Sequence, residues 1–385
     1  MGPLRGLRIV EMAGIGPAPF CAMLLADMGA EVIRVDRREA IDLGVPRHDP
    51  KFDLLLRGRR SLAVDLKSER GCAVVRKLAA RADAVIEGFR PGVMERLGLG
   101  PEVLQKDNPK LVFGRMTGWG QDGPMAPRAG HDINYIALSG VLHAIGRAGG
   151  PPVPPLNLVG DFGGGAMFLA FGVVCAMLEA QRSGKGQVVD ASMVDGAAYL
   201  LTAMYGLFAQ GIWRDERGTN ILDTGAPWYD VYETKDGKWL SVGAIEKRFY
   251  DEFIAKLGLD AAALPLQHDR NRWPQLRRIF EETIRGRTRA EWETVFAGSD
   301  ACVAPVLGLG EVADNAHNAA RSTFIRQDGV LQPAPAPRFS RTAASPGAPP
   351  APRGRDSAEV LADWGLPADE IAALSRDGVI GAASR

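Results

Sequence analysis

The chain has 385 residues, 46% of them apolar, and its 46 lysines and arginines balance 46 aspartates and glutamates. This length can bury a large core and allows more than one domain, while zero net charge supplies no global field to hold nucleic acid. The cysteines Cys21, Cys72, Cys175 and Cys302 lie far apart with no CxxC pair, which argues against a zinc site or a disulfide framework.

In chain order, "LRIVEM" predicts a short strand, and "GIGPAPFCAMLLADMG" a loop and a helix that stops at Gly29. "AEVIRVDRR" predicts the next strand, so the start is a βαβ unit with a parallel sheet. The loop imitates a dinucleotide fingerprint, with Asp36 ending the second strand. However, Pro19 occupies the place of the third glycine and Pro17 removes an amide, so no NAD is expected. Ser68 can cap a helix running to about Ala82. Further strands are expected in "ADAVIEGF", "KLVFGRMTGWG" and "QVVDASM", with a helix in "VDGAAYLLTAMYGLFAQG". Ala166 to Leu178 is the most apolar stretch, yet it falls short of the ~20 residues that cross a bilayer. A buried helix is expected there, with no membrane insertion. Three of the cysteines sit in apolar surroundings and are expected as small core residues.

"WYDVYETKDGKWLSVGAIE" predicts a hairpin turning at Asp236 and Gly237, and "KRFYDEFIAKLGL" and "WPQLRRIFEETI" have apolar residues at helical spacing. The expected organisation is α/β. A large domain covers 1–200, a linker helix 201–225, a small α+β domain 226–323, and a Pro-rich strap with a C-terminal segment 324–385. The opening "MGPLRGLRIVEM" lacks the apolar run of a signal peptide and the ending "AASR" is no peroxisomal address, so a reducing cytoplasm is the expected location.

Arg37, Arg38, Arg57, Arg59, Arg60, Lys67, Arg90 and Arg96 form a local basic excess suited to a polyphosphate, with solvated surface arginines as the alternative. His131 stands between a turn and an apolar run, as either a structural residue or a proton carrier. Asp161 precedes three glycines, where it can cap a helix or face a ligand that approaches the backbone closely. His48, His143, His268 and His317 suggest no role.

"GHDINY", "LVGDFGGGAMFL", "GKGQVVDASMVDG", "YDVYETKDGKWLSVGAIE" and "DACVAPVL" together resemble the α-methylacyl-CoA racemases of the family III CoA-transferase superfamily, nearest to the mycobacterial type. The resemblance covers nearly the whole chain. It implies an interlocked homodimer, each subunit a ring threaded through the other. The large domain would be Rossmann-like and bind CoA without being a dehydrogenase, and the active site would lie at the interface. It also implies catalytic roles for His131 and Asp161, with Glu246 hydrogen-bonded to the histidine. Implied CoA contacts are Arg37, Val64, Asp65, Leu66, Lys67, Gly88, Phe89, Arg90 and Arg96. At the thioester end they are Gly130, Asp132, Ile133, Asn134 and Tyr135.

The implied substrate is a 2-methylacyl-CoA. His131 and Asp161 would exchange one proton across opposite faces of the α-carbon, with no metal, no NAD and no cofactor beyond the substrate's CoA moiety. Met193 and Met204 are candidates for an adaptable acyl-chain surface, or for plain core. In a CoA-transferase of the same superfamily, the aspartate at Asp161 would instead become a covalent acyl carrier. An inert CoA-binding protein is a third reading, disfavoured by the presence of all three candidate catalytic residues.

Overall fold

The computed structural model describes residues 2–39 and 49–381, and His48 and the "AASR" ending fall outside them. The chain divides into two compact units. One comprises Met1–Ser139, Leu156–Leu200 and His317–Arg385, the other Gly140–Pro155 and Leu201–Ala316. Residues 140–155, expected within the large domain, thus belong to the second unit, as do the expected linker residues 201–225.

The first unit is built on a six-stranded sheet of β1 (Arg8–Met12), β2 (Glu31–Arg37), β3 (Arg59–Val64), β4 (Ala84–Glu87), β5 (Val112–Thr117) and β6 (Val188–Ser192). Its order is β3-β2-β1-β4-β5-β6, and every neighbouring pair is parallel. The progression of strands reverses between β1 and β4. Alternation along the strands gives the sheet two apolar faces, as a parallel sheet covered on both sides requires. Val10, Ile33, Leu62 and Val85 serve one core, and Ile9, Val32, Ala84 and Ile86 the other.

Helices α1 (Pro17–Asp27), α2 (Glu69–Ala79), α3 (Val93–Arg96), α4 (Pro101–Asp107) and α5 (Asp132–Leu138) follow the strands of this half. After α6 (Val141–Ala144), in the second unit, a π-helical segment, Leu158–Ala166, runs directly into α7 (Met167–Ser183). Then α8 (Met193–Leu200) follows β6.

Strand β3 was not expected, because its arginines drew the segment into the basic cluster. They are instead internal. Arg59 Nε donates to Glu11 Oε2 at 3.1 Å with both side chains fully buried, and Arg57 Nη2 donates to Asp27 Oδ2 at 2.6 Å. Arg60 pairs with Glu31 and Asp363. These three arginines are committed to the fold and leave the polyphosphate cluster.

The apolar stretch from Ala166 also differs from expectation. The glycine-rich segment before it is helical, so the continuous helix Leu158–Ser183 is long and apolar enough to span a membrane by length and composition. Only one face is covered: Leu169, Val173, Ala176, Met177 and Ala180 pack into the sheet core, while Met167, Phe171 and Leu178 are exposed. Among the cysteines only Cys21 is buried, Cys72 is half-buried, and Cys175 and Cys302 are exposed.

In the second unit α9 (Thr202–Ala209) starts after a break at Leu201, so the expected single helix is two. The antiparallel strands β7 (Tyr229–Glu233), β8 (Trp239–Gly243) and β9 (Val303–Pro305) form a three-stranded sheet. The first two are joined by a turn in which Gly237 has φ 70°, a conformation that favours glycine. Helices α10 (Lys247–Leu257), α11 (Trp273–Ile284) and α12 (Arg289–Phe296) enclose an aromatic core of Trp228, Tyr232, Phe253, Phe280 and Trp292.

Past α13 (Ala316–Ala320) come the hairpin β10 (Phe324–Gln327) and β11 (Val330–Pro333), then the Pro-rich tract, then α14 (Ser357–Asp363) and α15 (Ala368–Arg376). The tract lies against β3 and its flanks. Gly58 N donates to Ala348 O at 2.8 Å, and Ser61 N donates to Asp356 Oδ2 at 2.9 Å.

Candidate active site

In an open parallel sheet the loops leaving neighbouring strands separate where the strand order reverses, and a cleft forms at the carboxyl ends. Here a cavity of about 530 Å³ opens beside the ends of β1, β4 and β5. Its lining includes Ile15, Gly16 and Pro17 after β1, Gly88, Phe89 and Arg90 after β4, and Gly118 and Trp119 after β5. Gly130, His131 and Tyr135 border it from α5 and its entry, Asp161 from the π-helical segment and Asn157 from just before it. The two residues singled out for proton transfer therefore face one space.

His131 immediately precedes α5 with extended backbone, φ −134° and ψ 171°, and its N–H donates to Asn134 Oδ1 at 3.0 Å. That bond caps the helix and directs Asn134 to the backbone. Asp161 lies inside the π-helical segment, so it is not the helix cap that its position before the glycines suggested. Burial pushes its carboxyl above the usual range; Asn157, donating to Oδ2 at 3.0 Å, and the charge of His131 oppose this, and the charge of Asp132 adds to it. Tyr135, buried and near Asp161, is pushed up to about 12, chiefly by desolvation.

The glycine run has a different reason from the close ligand approach expected of it. A Cβ on Gly164 would lie 2.5 Å from Ala197 N, and one on Gly196 would lie 1.8 Å from Gly164 O. These glycines let α8 and the π-helical segment touch backbone to backbone. Gly16, with φ 67°, is the position that approaches chemistry: a Cβ there would lie 3.1 Å from Asp161 Oδ2.

A second cavity of about 500 Å³ lies at the ends of β2 and β3, lined by Arg37, Arg38, Val64, Asp65, Leu66, Lys67 and Phe89, with Val93 and Leu97. Phe89 borders both cavities. Arg96 is exposed at the end of α3 and is not among the lining residues, although its neighbours are. Ile133 is exposed and Asp132 buried, and neither lines the first cavity. Glu246 belongs to the second unit, exposed just before α10. Asp36 is buried against Arg34 Nε at 2.8 Å and Ser61 Oγ at 2.6 Å, so its carboxylate is taken up within the sheet.

Sequence reading missed Asn157, Gly16, Trp119 and Arg128 as cavity residues. Asn157 sits four residues before Asp161, a spacing that carries meaning only once the segment is known to be helical. Chemically, an imidazole and a carboxyl group with raised proton affinity, bordering one cavity, can remove a proton and return one.

The family described as CoA-transferase family III matches residues 4–357. The chain is 48% identical over 379 residues to an alpha-methylacyl-CoA racemase of Mus musculus, covering 98% of this chain and 97% of that protein. It is 30% identical over 380 residues to a succinyl-CoA:glutarate CoA-transferase of the same organism, covering 94% of this chain and 86% of that one. The crystal structure of a CAIB/BAIF family protein from Brucella suis matches it with a TM-score of 0.80 at 25% identity, covering 94% of this chain and 99% of that one. With sheet, cleft and sequence in agreement, the chain belongs to CoA-transferase family III.

Proposed function

We propose that the protein is an isomerase that interconverts (2R)- and (2S)-2-methylacyl-CoA thioesters by moving the α-proton through an enolate. The observation that carries this reading is a cavity that His131 and Asp161 both border. The 48% identity to a protein named alpha-methylacyl-CoA racemase, against 30% to a named transferase, supports it.

Sulfur feeds little electron density into a thioester carbonyl, so the adjacent C–H is acidic enough for an imidazole to remove its proton. In one direction neutral His131 takes the proton and protonated Asp161 supplies another to the opposite face; the reverse direction exchanges the roles. Each cycle starts with one proton held between the two groups, so activity falls when both are protonated and when neither is. The raised proton affinity of Asp161 suits this need, because an ordinary aspartate, at about 3.9, is seldom protonated near neutrality. Glu246 is proposed to hold the His131 ring. The CoA nucleotide is assigned to Arg37, the Val64–Lys67 segment and Arg96, with the arm passing Phe89 to Gly88, Arg90 and Gly130. Asp132, Ile133, Asn134 and Tyr135 complete the thioester end. No metal or redox group enters the scheme.

An interlocked homodimer with a Rossmann-like large domain belongs to the same proposal. The exposed apolar residues Met167, Phe171 and Leu178 of α7 and Tyr199 and Leu200 of α8 support it, because so much uncovered apolar surface marks an interface. A reducing cytoplasm is the proposed location.

The test is incubation of one epimer in deuterated water. Configuration should scramble as deuterium enters the α-position, and His131→Ala and Asp161→Ala should each suppress full interconversion. Wild-type rates in both variants would refute the roles. Acyl transfer to an added free carboxylate, without scrambling, would establish the transferase alternative.

A further inference from the structure

Resting on the racemisation reading, we propose that the Asp132 side chain is a positioning residue that sets the His131 and Asp161 groups relative to each other. Asp132 follows His131 directly and opens α5, and it is only 6% exposed. Its Oδ1 accepts a hydrogen bond from the backbone N–H of Asp161 at 2.7 Å. The path from the residue carrying the imidazole to the residue carrying the carboxyl is thus one peptide link and one charge-assisted bond, the stronger kind.

Gly160 shows how closely this contact is built. A Cβ at 160 would lie 2.4 Å from Asp132 Oδ1, so only glycine lets the carboxylate reach the next amide. Asp132 Oδ2 is buried with no hydrogen-bond partner among the described residues. Leaving a buried carboxylate oxygen unpaired is costly, and a favourable charge in the first turn of a seven-residue helix does not require it. The unpaired oxygen keeps negative charge beside Asp161, which favours its protonated form. The other groups that shift that carboxyl are Asn157, just before the π-helical segment, and His131 at the entry to α5. Gly16 touches it from the β1 loop, and Met193 of α8, Tyr135 of α5, Arg90 after β4 and Arg128 share the cavity; the two arginines are the cations among these and are present alike in wild type and in the Asp132 variants.

The experiment uses the full-length enzyme, its Asp132→Ala and Asp132→Asn variants, and a 2-methylacyl-CoA in deuterated water. Asp132→Ala should lower kcat on the order of 100-fold with KM within about threefold, because misplaced groups lose rate faster than binding. Asp132→Asn keeps an acceptor for the Asp161 amide and should restore kcat to within about tenfold of wild type. Its lost charge should move the acid limb of kcat/KM to lower pH. Wild-type kcat in Asp132→Ala, no recovery in Asp132→Asn, or an unmoved acid limb would each overturn the role. If Asp132→Ala does not fold, the kcat and pH profile of Asp132→Asn decide. A wild-type enzyme without exchange removes the racemisation reading and this inference with it. Wild-type exchange that Asp132→Ala leaves unchanged removes the inference alone.

Discussion

Asn157 Nδ2 donates a hydrogen bond to Asp161 Oδ2 at 3.0 Å, one helical turn away along the π-helical segment. This is the contact that most favours the charged carboxylate, against a burial that disfavours it. Asn157 thereby keeps Asp161 within reach of both protonation states.

Asn157→Ala should therefore raise the proton affinity of Asp161 further. The carboxylate is then lost sooner as pH falls, so the acid limb of kcat/KM moves to higher pH, opposite to the shift expected for Asp132→Asn. Rate profiles from both epimers check this, and an acid limb that stays in place contradicts it.

Glu87 ends β4 and fixes the loop that borders both cavities. Its Oε2 accepts from Phe89 N at 2.6 Å and its Oε1 from Arg115 Nε at 3.0 Å. Glu87→Gln should raise the KM for acyl-CoA about three- to tenfold, the worth of one hydrogen bond, and leave kcat near wild type. Burial raises the Glu87 carboxyl from 4.5 to about 6, so its contribution to stability is lost as pH rises through that window. Urea midpoints measured across it should fall less in the glutamine variant than in wild type.

The Glu11–Arg59 pair is sealed in the sheet, and burial works against the charge of each partner. Arg59→Met strands Glu11 and should cost about 3–5 kcal/mol in urea unfolding, whereas Arg59→Met with Glu11→Leu should recover most of it. Equal losses in the single and double variants would contradict the pairing.

Gly196→Ala places a Cβ 1.8 Å from Gly164 O, a contact that forces α8 from the segment carrying Asp161. A loss of at least about 1–3 kcal/mol is expected, together with lost racemisation. A variant with wild-type Tm and rate would contradict this packing.

Much of the fold was legible because apolar periodicity reports burial directly: β1, β2, β4, β5 and β6 fall in the expected runs, and the hairpin turns where Asp236 and Gly237 placed it. β3 was not legible, since Arg59 looks like a surface charge until Glu11 is known to lie beside it. His131 and Asp161 stood out through their surroundings, but the partners of Asp161 did not. Asn157 reaches it across a π-helical turn, and Gly16 comes beside it from the β1 loop at a positive φ that favours glycine. Charge and glycine content recorded that something unusual was present, without saying whether a ligand or a neighbouring helix required it.

A crystal structure with a 2-methylacyl-CoA bound decides whether the proton-transfer scheme is right. The α-carbon should lie between the His131 imidazole and the Asp161 carboxyl, with one group on each face and both about 3–3.5 Å away. An α-carbon with both groups on the same face, or one group beyond reach, would contradict it.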